Sequence, residues 1–185
     1  MKKKNLSKSM VASVCLVSLM AGGCISQNEA NAIWPFSNSQ KKIQSDKSSI
    51  EGVLNKCTTK LGEINSDESK QNYLESIEKI RKDVEFNVTQ HKKLVKSLDD
   101  AKDLEIQINF EAQCCKKADE IQAILNQSLE KANLLTSSND AKKYFDSINE
   151  LKTQVTNNSK NSKGLDDISA ESKLLLDKVT MSFNL

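Results

Sequence analysis

Apolar residues recur every three or four positions along most of this chain, and few residues interrupt the pattern. A spacing of three and four places side chains on one face of an α-helix, where they can pack against other helices. The sequence holds only five glycines and one proline, the residues that most often end helices. The pattern therefore predicts an all-α fold. Its longest run is Ala101, Leu104, Ile108, Ala112, Cys115, Ala118, Ile121, Leu125, Leu129, Ala132 and Leu135.

The first two predicted helices are bounded by turn and cap residues. Helix one runs from Asp46 to about Leu61, and Gly62 stands where a C-cap glycine would end it. Ser66 is a typical N-cap residue, and it opens a second helix that continues to about Ser97. The apolar positions of this second helix are Leu74, Ile77, Ile80, Val84, Val88, His91, Val95 and Leu98.

The junction between the second and third helices has two interpretations. One continuous rod would exceed about 100 Å at 1.5 Å per residue, and its apolar face would need a partner chain. A break near Asp99 instead folds the two helices back as a hairpin, with the third helix over residues 101–135. We expect the hairpin, and the sequence leaves the rod open.

Two further helices complete the predicted domain. A polar turn at residues 136–140 precedes a fourth helix over 141–155, and an exposed loop at 157–164 precedes a last one. The apolar positions of the last helix are Ile168, Leu174, Leu175, Leu176 and Val179. Because each helix has one apolar face, we expect residues 46–185 to form an antiparallel bundle of four to five helices around a single core.

The N-terminal residues have the order of an export signal. Three lysines directly follow Met1, an apolar run covers residues 10–21, and small residues precede Cys24. The run of 12 residues is shorter than the ~20 that a helix needs to span a bilayer. We therefore expect residues 1–23 to be removed as a signal peptide.

Cys24 is the predicted lipidation site. The small residues Ala21, Gly22 and Gly23 would let the backbone lie extended in a peptidase cleft while the Cys24 thiol takes a diacylglyceryl group. In this layout the sequence resembles bacterial lipoprotein precursors, with Ala21 where the common lipobox carries Leu. The resemblance implies fatty acyl chains such as palmitate on Cys24 and attachment to a membrane of the cell envelope.

Residues 24–45 are rich in Ser, Asn and Gln, which predicts a flexible tether between membrane and domain. Trp34 and Phe36 interrupt it, either as an interfacial anchor or as aromatics packed on the domain. Residues 30–32 read Ala-Asn-Ala, a second cleavage pattern that would release a soluble secreted protein beginning at Ile33. Both processing routes stay open.

Three cysteines remain in the helical domain if Cys24 carries lipid. In an oxidising compartment Cys57 could form a disulfide bond with Cys114 or Cys115, and one thiol would be left over. The apolar spacing places Cys115 on the core face and Cys114 about 100° away from it. Buried free thiols are the alternative.

The sequence carries no recognisable catalytic or metal-binding motif. His91 is the only histidine, and no paired Cys or His spacing accompanies it, so no metal or cofactor is expected. Nucleophile elbows, phosphate-binding loops and dinucleotide glycine motifs are missing too. Carboxylate pairs such as Glu75 and Glu78 fall on predicted exposed faces. We therefore do not predict an enzyme.

The charge pattern argues against nucleic-acid binding. Removing the four lysines of the signal turns the formal net charge from +2 to −2, and Arg81 is the only arginine. A nearly neutral surface of mixed sign has no basic stripe for phosphates.

The export signal, the Lys- and Asn-rich composition and the short helical domain resemble the helical surface lipoproteins of spirochaetes. This resemblance is specific only over residues 1–24, and it implies a surface antigen of the outer membrane with a role in adhesion or immune evasion. The predicted function is a membrane-anchored module that binds another protein. The alternative is a periplasmic spacer or coiled-coil scaffold in envelope assembly, with the second and third helices as its seam.

Overall fold

A computed structural model of the chain describes residues 30–135 and 138–183, with side chains over 38–135 and 139–182. The chain divides into two units, Met1–Ser37 and Asn38–Leu185. All cores and polar contacts below lie in the second unit. The predicted signal peptide and its Cys24 lie outside the described residues, and both stay predictions.

Five α-helices and one 3-10 turn account for almost all of the described residues, and none of these residues forms a strand. This confirms the predicted all-α class and the predicted number of helices. The helices are α1 (Ala30–Lys60), α2 (Asp67–Phe86), α3 (His91–Ala132), α4 (Ser138–Asn157) and α5 (Ser162–Phe183), and the 3-10 turn is Leu61–Glu63.

The pairs α2–α3 and α4–α5 are antiparallel, as their short connecting turns and the polar contacts between them indicate. Tyr73 near the start of α2 donates to Glu111 in the middle of α3, so these two helices are antiparallel. Tyr144 near the start of α4 contacts Ser182 near the end of α5. The long α3 extends about 62 Å at 1.5 Å per residue and is shared by both halves of the domain.

Two hydrophobic cores lie along α3, where the sequence predicted one. The first core joins α1, the 3-10 turn and α2 to the N-terminal half of α3, and the second joins α4 and α5 to the C-terminal half. The first core contains Ile50, Leu54, Cys57, Leu61, Ile64, Ile77, Ile80, Leu94, Ala101, Leu104, Ile108 and Ala112. The second core contains Cys114, Ile121, Leu125, Ala132, Ile148, Leu151, Val155, Leu165, Ile168, Leu175 and Val179.

One helix serves two cores because its buried face shifts. Every seventh residue of α3 lies on the inner side throughout: Ser97, Leu104, Glu111, Ala118, Leu125 and Ala132. The first half adds the residues three positions earlier, Leu94, Ala101 and Ile108, and the second half adds those three positions later, Cys114, Ile121 and Ser128. At 100° per residue this change turns the buried face by roughly 60° around the helix.

This shift corrects the prediction for the adjacent cysteines. Cys114, expected about 100° off the core face, is completely buried in the second core. Cys115, expected on the face, is only partly buried and packs against the first core. The prediction assumed that the apolar spacing of the first half of α3 continues unchanged beyond Ala112. The buried face of α3 in fact shifts there.

The predicted break near Asp99 is also wrong, although the hairpin itself is confirmed. The α2–α3 turn lies 12 residues earlier, at residues 87–90. Asn87 is the C-cap of α2: its φ and ψ of −105° and 26° leave the helical region, and its side-chain Nδ2 donates to the Asp83 carbonyl at 2.7 Å. The turn interrupts the helical register, which leaves Val88 and Val95 exposed although both were placed on the core face.

Three helix boundaries differ from the prediction. α1 begins at Ala30, before the predicted Asp46, because residues 38–45 are mostly helix-compatible polar residues with only Ile43 packed on the first core. Gly62 lies inside the 3-10 turn and is no C-cap. Gly164, assigned to a loop, lies in the first turn of α5, where its N–H donates to Asn161 Oδ1 at 3.1 Å.

Candidate functional site

The two halves of the domain meet at the middle of α3. The connection from α1 to α2 and the turn from α4 to α5 both lie against α3 there, and polar side chains join them. We call this set the waist; it comprises Asn65, Ser69, Tyr73, Glu111, Lys117, Asp119, Lys160, Ser162 and Asp166.

Glu111 is the centre of the waist, and only 7% of its surface is exposed. The Tyr73 hydroxyl donates to its Oε2 at 2.8 Å, and Lys160 Nζ lies 3.5 Å from its Oε1. Lys160 Nζ also donates to Ser69 Oγ at 3.0 Å, and Ser69 is hydrogen-bonded to Glu111. The carboxylate therefore joins α2, α3 and the α4–α5 turn through charge-assisted hydrogen bonds.

Local sequence positions each of these partners. Ser66 caps α2 by accepting the Ser69 N–H at 3.2 Å, which fixes Ser69 in the first turn. Tyr73 follows one turn later, so it lies on the same face of the helix as Ser69. Lys160 lies in the tight α4–α5 turn, which Asn161 closes by donating its N–H to the Asn158 carbonyl at 2.8 Å.

The contacts at the waist shift two pKa values in opposite directions. Burial acts to raise the pKa of Glu111, but the hydrogen bonds from Ser69 and Tyr73 and the charge of Lys160 outweigh it and lower that pKa. Burial and the hydrogen bond to Glu111 raise the pKa of Tyr73 to about 12. At neutral pH the carboxylate is ionised and the phenol protonated, so neither is tuned for proton transfer.

A recess of about 240 Å³ opens beside Glu111. A site for a drug-sized molecule usually measures ~300–1,000 Å³, so this recess suits one inserted side chain better than a cofactor. Phe110 stands at its edge with 49% of its surface exposed, and Ile106, one turn earlier on α3, is 66% exposed. The residues that line the recess are Tyr73, Gln107, Phe110, Glu111 and Lys160.

A wider groove of about 750 Å³ runs along α2. Thr58 of α1 borders it, and the other lining residues belong to α2, including the partly exposed Leu74. Most of its lining residues are charged. Among them, Arg81 forms an ion pair with Glu51 of α1, with Nη2 2.8 Å from Oε1. The recess at the waist, in contrast, has the buried carboxylate of Glu111 in its wall, so we consider it the candidate site.

Glu111 was missed in the sequence although a signal for it existed. It lies seven residues after Leu104 and seven before Ala118, in a series that is otherwise small or apolar, so a charged residue there is unexpected. Buried carboxylates are rare unless paired, which makes such a residue a sign of a polar network. Tyr73 and Ser69 carried no comparable signal.

The three domain cysteines are not bonded to one another in the structure. Burial raises the pKa of Cys57, with Glu105 adding to the effect, and burial also raises the pKa of Cys114. Both thiols therefore stay protonated near neutral pH, where they react slowly. Cys57 and Cys114 belong to different cores, whereas Cys115 packs on the core that contains Cys57. The disulfide bond stays a prediction.

His91 lies at the start of α3, and its Nδ1 is 2.6 Å from Asp46 Oδ2 of α1. This contact ties the first helix to the third. Within the described parts of the chain, no group of three or more His, Cys, Asp or Glu side chains converges as a metal site would require. Of the carboxylate pair on α2, Glu75 accepts from Gln71 at 3.1 Å, and Glu78 forms an exposed ion pair with Lys82.

Among the helices that the structure describes, none is both long enough and apolar enough to cross a bilayer. Comparisons of the chain with protein-family models, with curated proteins and with solved structures found no match.

Proposed function

We propose that this chain is a lipoprotein of the bacterial envelope, attached to a membrane through Cys24, whose helical domain binds another protein. The observation that carries the binding proposal is the pair Ile106 and Phe110, which are exposed beside the recess at Glu111. The anchor rests on the order of residues 1–24.

Two neighbouring apolar residues on the exposed side of α3 support a protein-binding surface there. Single exposed apolar residues are ordinary, but Ile106 and Phe110 are four positions apart and therefore neighbours on the helix surface. Aromatic side chains beside a recess that admits one partner side chain are typical of the residues that dominate binding energy. The recess is lined by both a carboxylate and a lysine, so it can hydrogen-bond either a donor or an acceptor of the partner.

A photo-crosslinking amino acid placed at Ile106 tests this surface in intact cells. We expect crosslinked species of a defined larger mass at Ile106, and none at Leu174, an apolar residue of α5 with a similar exposed fraction of 54%. Absence of adducts at Ile106, or identical adducts at both positions, would contradict the proposal.

The second candidate function is a structural spacer of the envelope. The continuous α3 favours it, since one uninterrupted helix through two cores gives a rigid element of about 62 Å. The whole chain has a mass of 20.6 kDa. In the same crosslinking experiment, a spacer that self-associates would yield an adduct with twice the mass of the chain that remains after the signal peptide is removed. A heterologous adduct favours the binding module instead.

A further inference from the structure

The end of the first half that carries the α2–α3 turn differs in charge from the rest of the domain. We call this end the tip and define it as residues 38–47 and 82–96. It holds seven lysines against three carboxylates, whereas residues 48–81 and 97–185 hold 16 basic and 21 acidic residues. A protein of nearly zero net charge therefore has one positive end.

Contacts within the first half bring these two segments together. The 2.6 Å contact of His91 with Asp46 sets the start of α3 level with that part of α1. Lys42, one helical turn before Asp46, therefore lies near the turn, as does Lys41 beside it. Ile43, the residue after Lys42, packs against the first core. This end of α1 therefore belongs to the tip.

The tip also presents the most exposed large apolar side chain of the described residues. Phe86, the last residue of α2, is 86% exposed, and Val88 in the following turn is exposed as well. Lys92 and Lys93 follow directly at the start of α3, and both are exposed. The turn that presents Phe86 is closed by the Gln90 N–H, which donates to the Asn87 carbonyl at 2.9 Å.

We infer that the tip contacts an anionic lipid surface, with Phe86 and Val88 entering the headgroup region and the lysines facing the lipid phosphates. Amphipathic surfaces with an apolar centre and a Lys-rich border bind at this depth, and clustered lysines add attraction to anionic headgroups. The charge complementarity selects an anionic membrane over an apolar protein groove, because an apolar groove would leave the excess of seven lysines over three carboxylates without counter-charge.

This inference rests on the proposed function, since a chain attached through Cys24 already lies at a membrane. It adds an orientation: the tip faces the lipid, and the second half, whose residues 113–185 hold ten basic and ten acidic residues, faces away. The recess at the waist then lies beyond the part of the domain that touches the membrane.

Tryptophan fluorescence in the full chain tests the contact. Trp34 is the only tryptophan, so a Trp34→Phe background makes Phe86→Trp a single reporter, with Leu174→Trp as the matched reporter on α5. The proteins are mixed with vesicles of phosphatidylcholine, or of phosphatidylcholine with phosphatidylglycerol, whose acyl chains carry bromine. Flotation of the vesicles reports attachment, and quenching by bromine reports contact at the reporter.

With phosphatidylglycerol present, we expect the emission of the Phe86→Trp reporter to shift to shorter wavelength and to be quenched, while the Leu174→Trp reporter is unchanged. Replacing Lys92 and Lys93 by Gln should remove the quenching. Replacing the exposed pair Lys142 and Lys143 of α4 by Gln, which changes the net charge equally, should not.

Three outcomes overturn the inference. A chain that floats with the vesicles but shows equal quenching at both reporters retains its anchor and has no tip contact. Quenching that is the same without phosphatidylglycerol contradicts the role of the lysines. A chain that does not float with either vesicle contradicts the membrane anchor as well as the tip contact.

Discussion

The two halves of the domain use the same helix for packing but present different surfaces. Among the described side chains, nine large apolar ones are exposed, and six of these lie in the first half or on its part of α3, at Leu74, Phe86, Val88, Val95, Ile106 and Phe110. The second half carries Leu134, Leu174 and Met181. The first half also holds the positive tip, while residues 113–185 of the second half hold ten basic and ten acidic residues. This difference assigns contact with lipid and with a partner mainly to the first half.

The largest expected effect comes from emptying either core, and it tests whether the halves are energetically separate. Leu54 and Leu165 are fully buried, one in each core. Leu54→Ala and Leu165→Ala should each lower the free energy of unfolding by about 2–5 kcal/mol. Because α3 belongs to both cores, urea unfolding followed by circular dichroism should show one shifted transition in each case.

Leu174→Ala is the control for this pair, since an exposed substitution should change stability by no more than about 0.5 kcal/mol. Two separate transitions, with only one of them shifted by each core variant, would show that the halves unfold independently.

A smaller effect is expected at the waist. Glu111→Ala leaves the Tyr73 hydroxyl and Lys160 without their carboxylate partner, which should cost about 1–3 kcal/mol of stability. Glu120→Ala on the exposed side of α3 is the matched control. Urea unfolding should place the midpoint of Glu111→Ala clearly below that of Glu120→Ala, and equal midpoints would refute a stabilising role of the waist.

The acid dependence of stability gives a third comparison. The folded state lowers the pKa of Glu111, so its stabilising contribution is complete above the ordinary glutamate value of about 4.3 and is lost as pH falls through the lower folded value. The urea midpoint of Glu111→Gln should therefore fall less steeply than that of the parent chain as the pH is lowered below the ordinary glutamate pKa of about 4.3. If the urea midpoints of Glu111→Gln fall as steeply with decreasing pH as those of the parent chain, the lowered pKa of Glu111 is refuted.

The smallest expected effects concern two helical glycines. Apart from the neighbouring backbone of α1 itself, no atom lies within 4 Å of a Cβ at Gly52, so Gly52→Ala should stabilise the domain by about 0.5–1 kcal/mol. A Cβ at Gly164 of α5 would approach Asn158 Oδ1 and Asn161 Nδ2 within 3 Å. Thermal unfolding should therefore show a smaller gain for Gly164→Ala, and equal gains would contradict the close packing of the α4–α5 turn.

The sequence predicted what apolar spacing controls and missed what depends on tertiary contact. The all-α class, the Ser66 cap and the apolar face of α4 followed from local pattern. The second core did not, because a 60° shift of the buried face leaves the spacing of apolar residues nearly unchanged. The turn after Asn87 was also missed, since the apolar positions continue through it to Val95.

The waist required knowledge of which helices meet. Glu111 stood out only as a charge within an apolar pattern, and its partners come from positions 38 residues before it and 49 residues after it. No local rule connects such distant residues. The tip could have been noticed as two separate groups of lysines, but the two segments that carry them meet only through the contact of Asp46 with His91.

Both the proposed function and the orientation of the tip depend on how the N-terminus is processed. Mass spectrometry of the intact protein purified from the bacterial envelope measures this directly. The account predicts a chain that begins at Cys24 and carries a diacylglyceryl group with fatty acyl chains. A chain that begins at Ile33, or one that retains Met1, would contradict it.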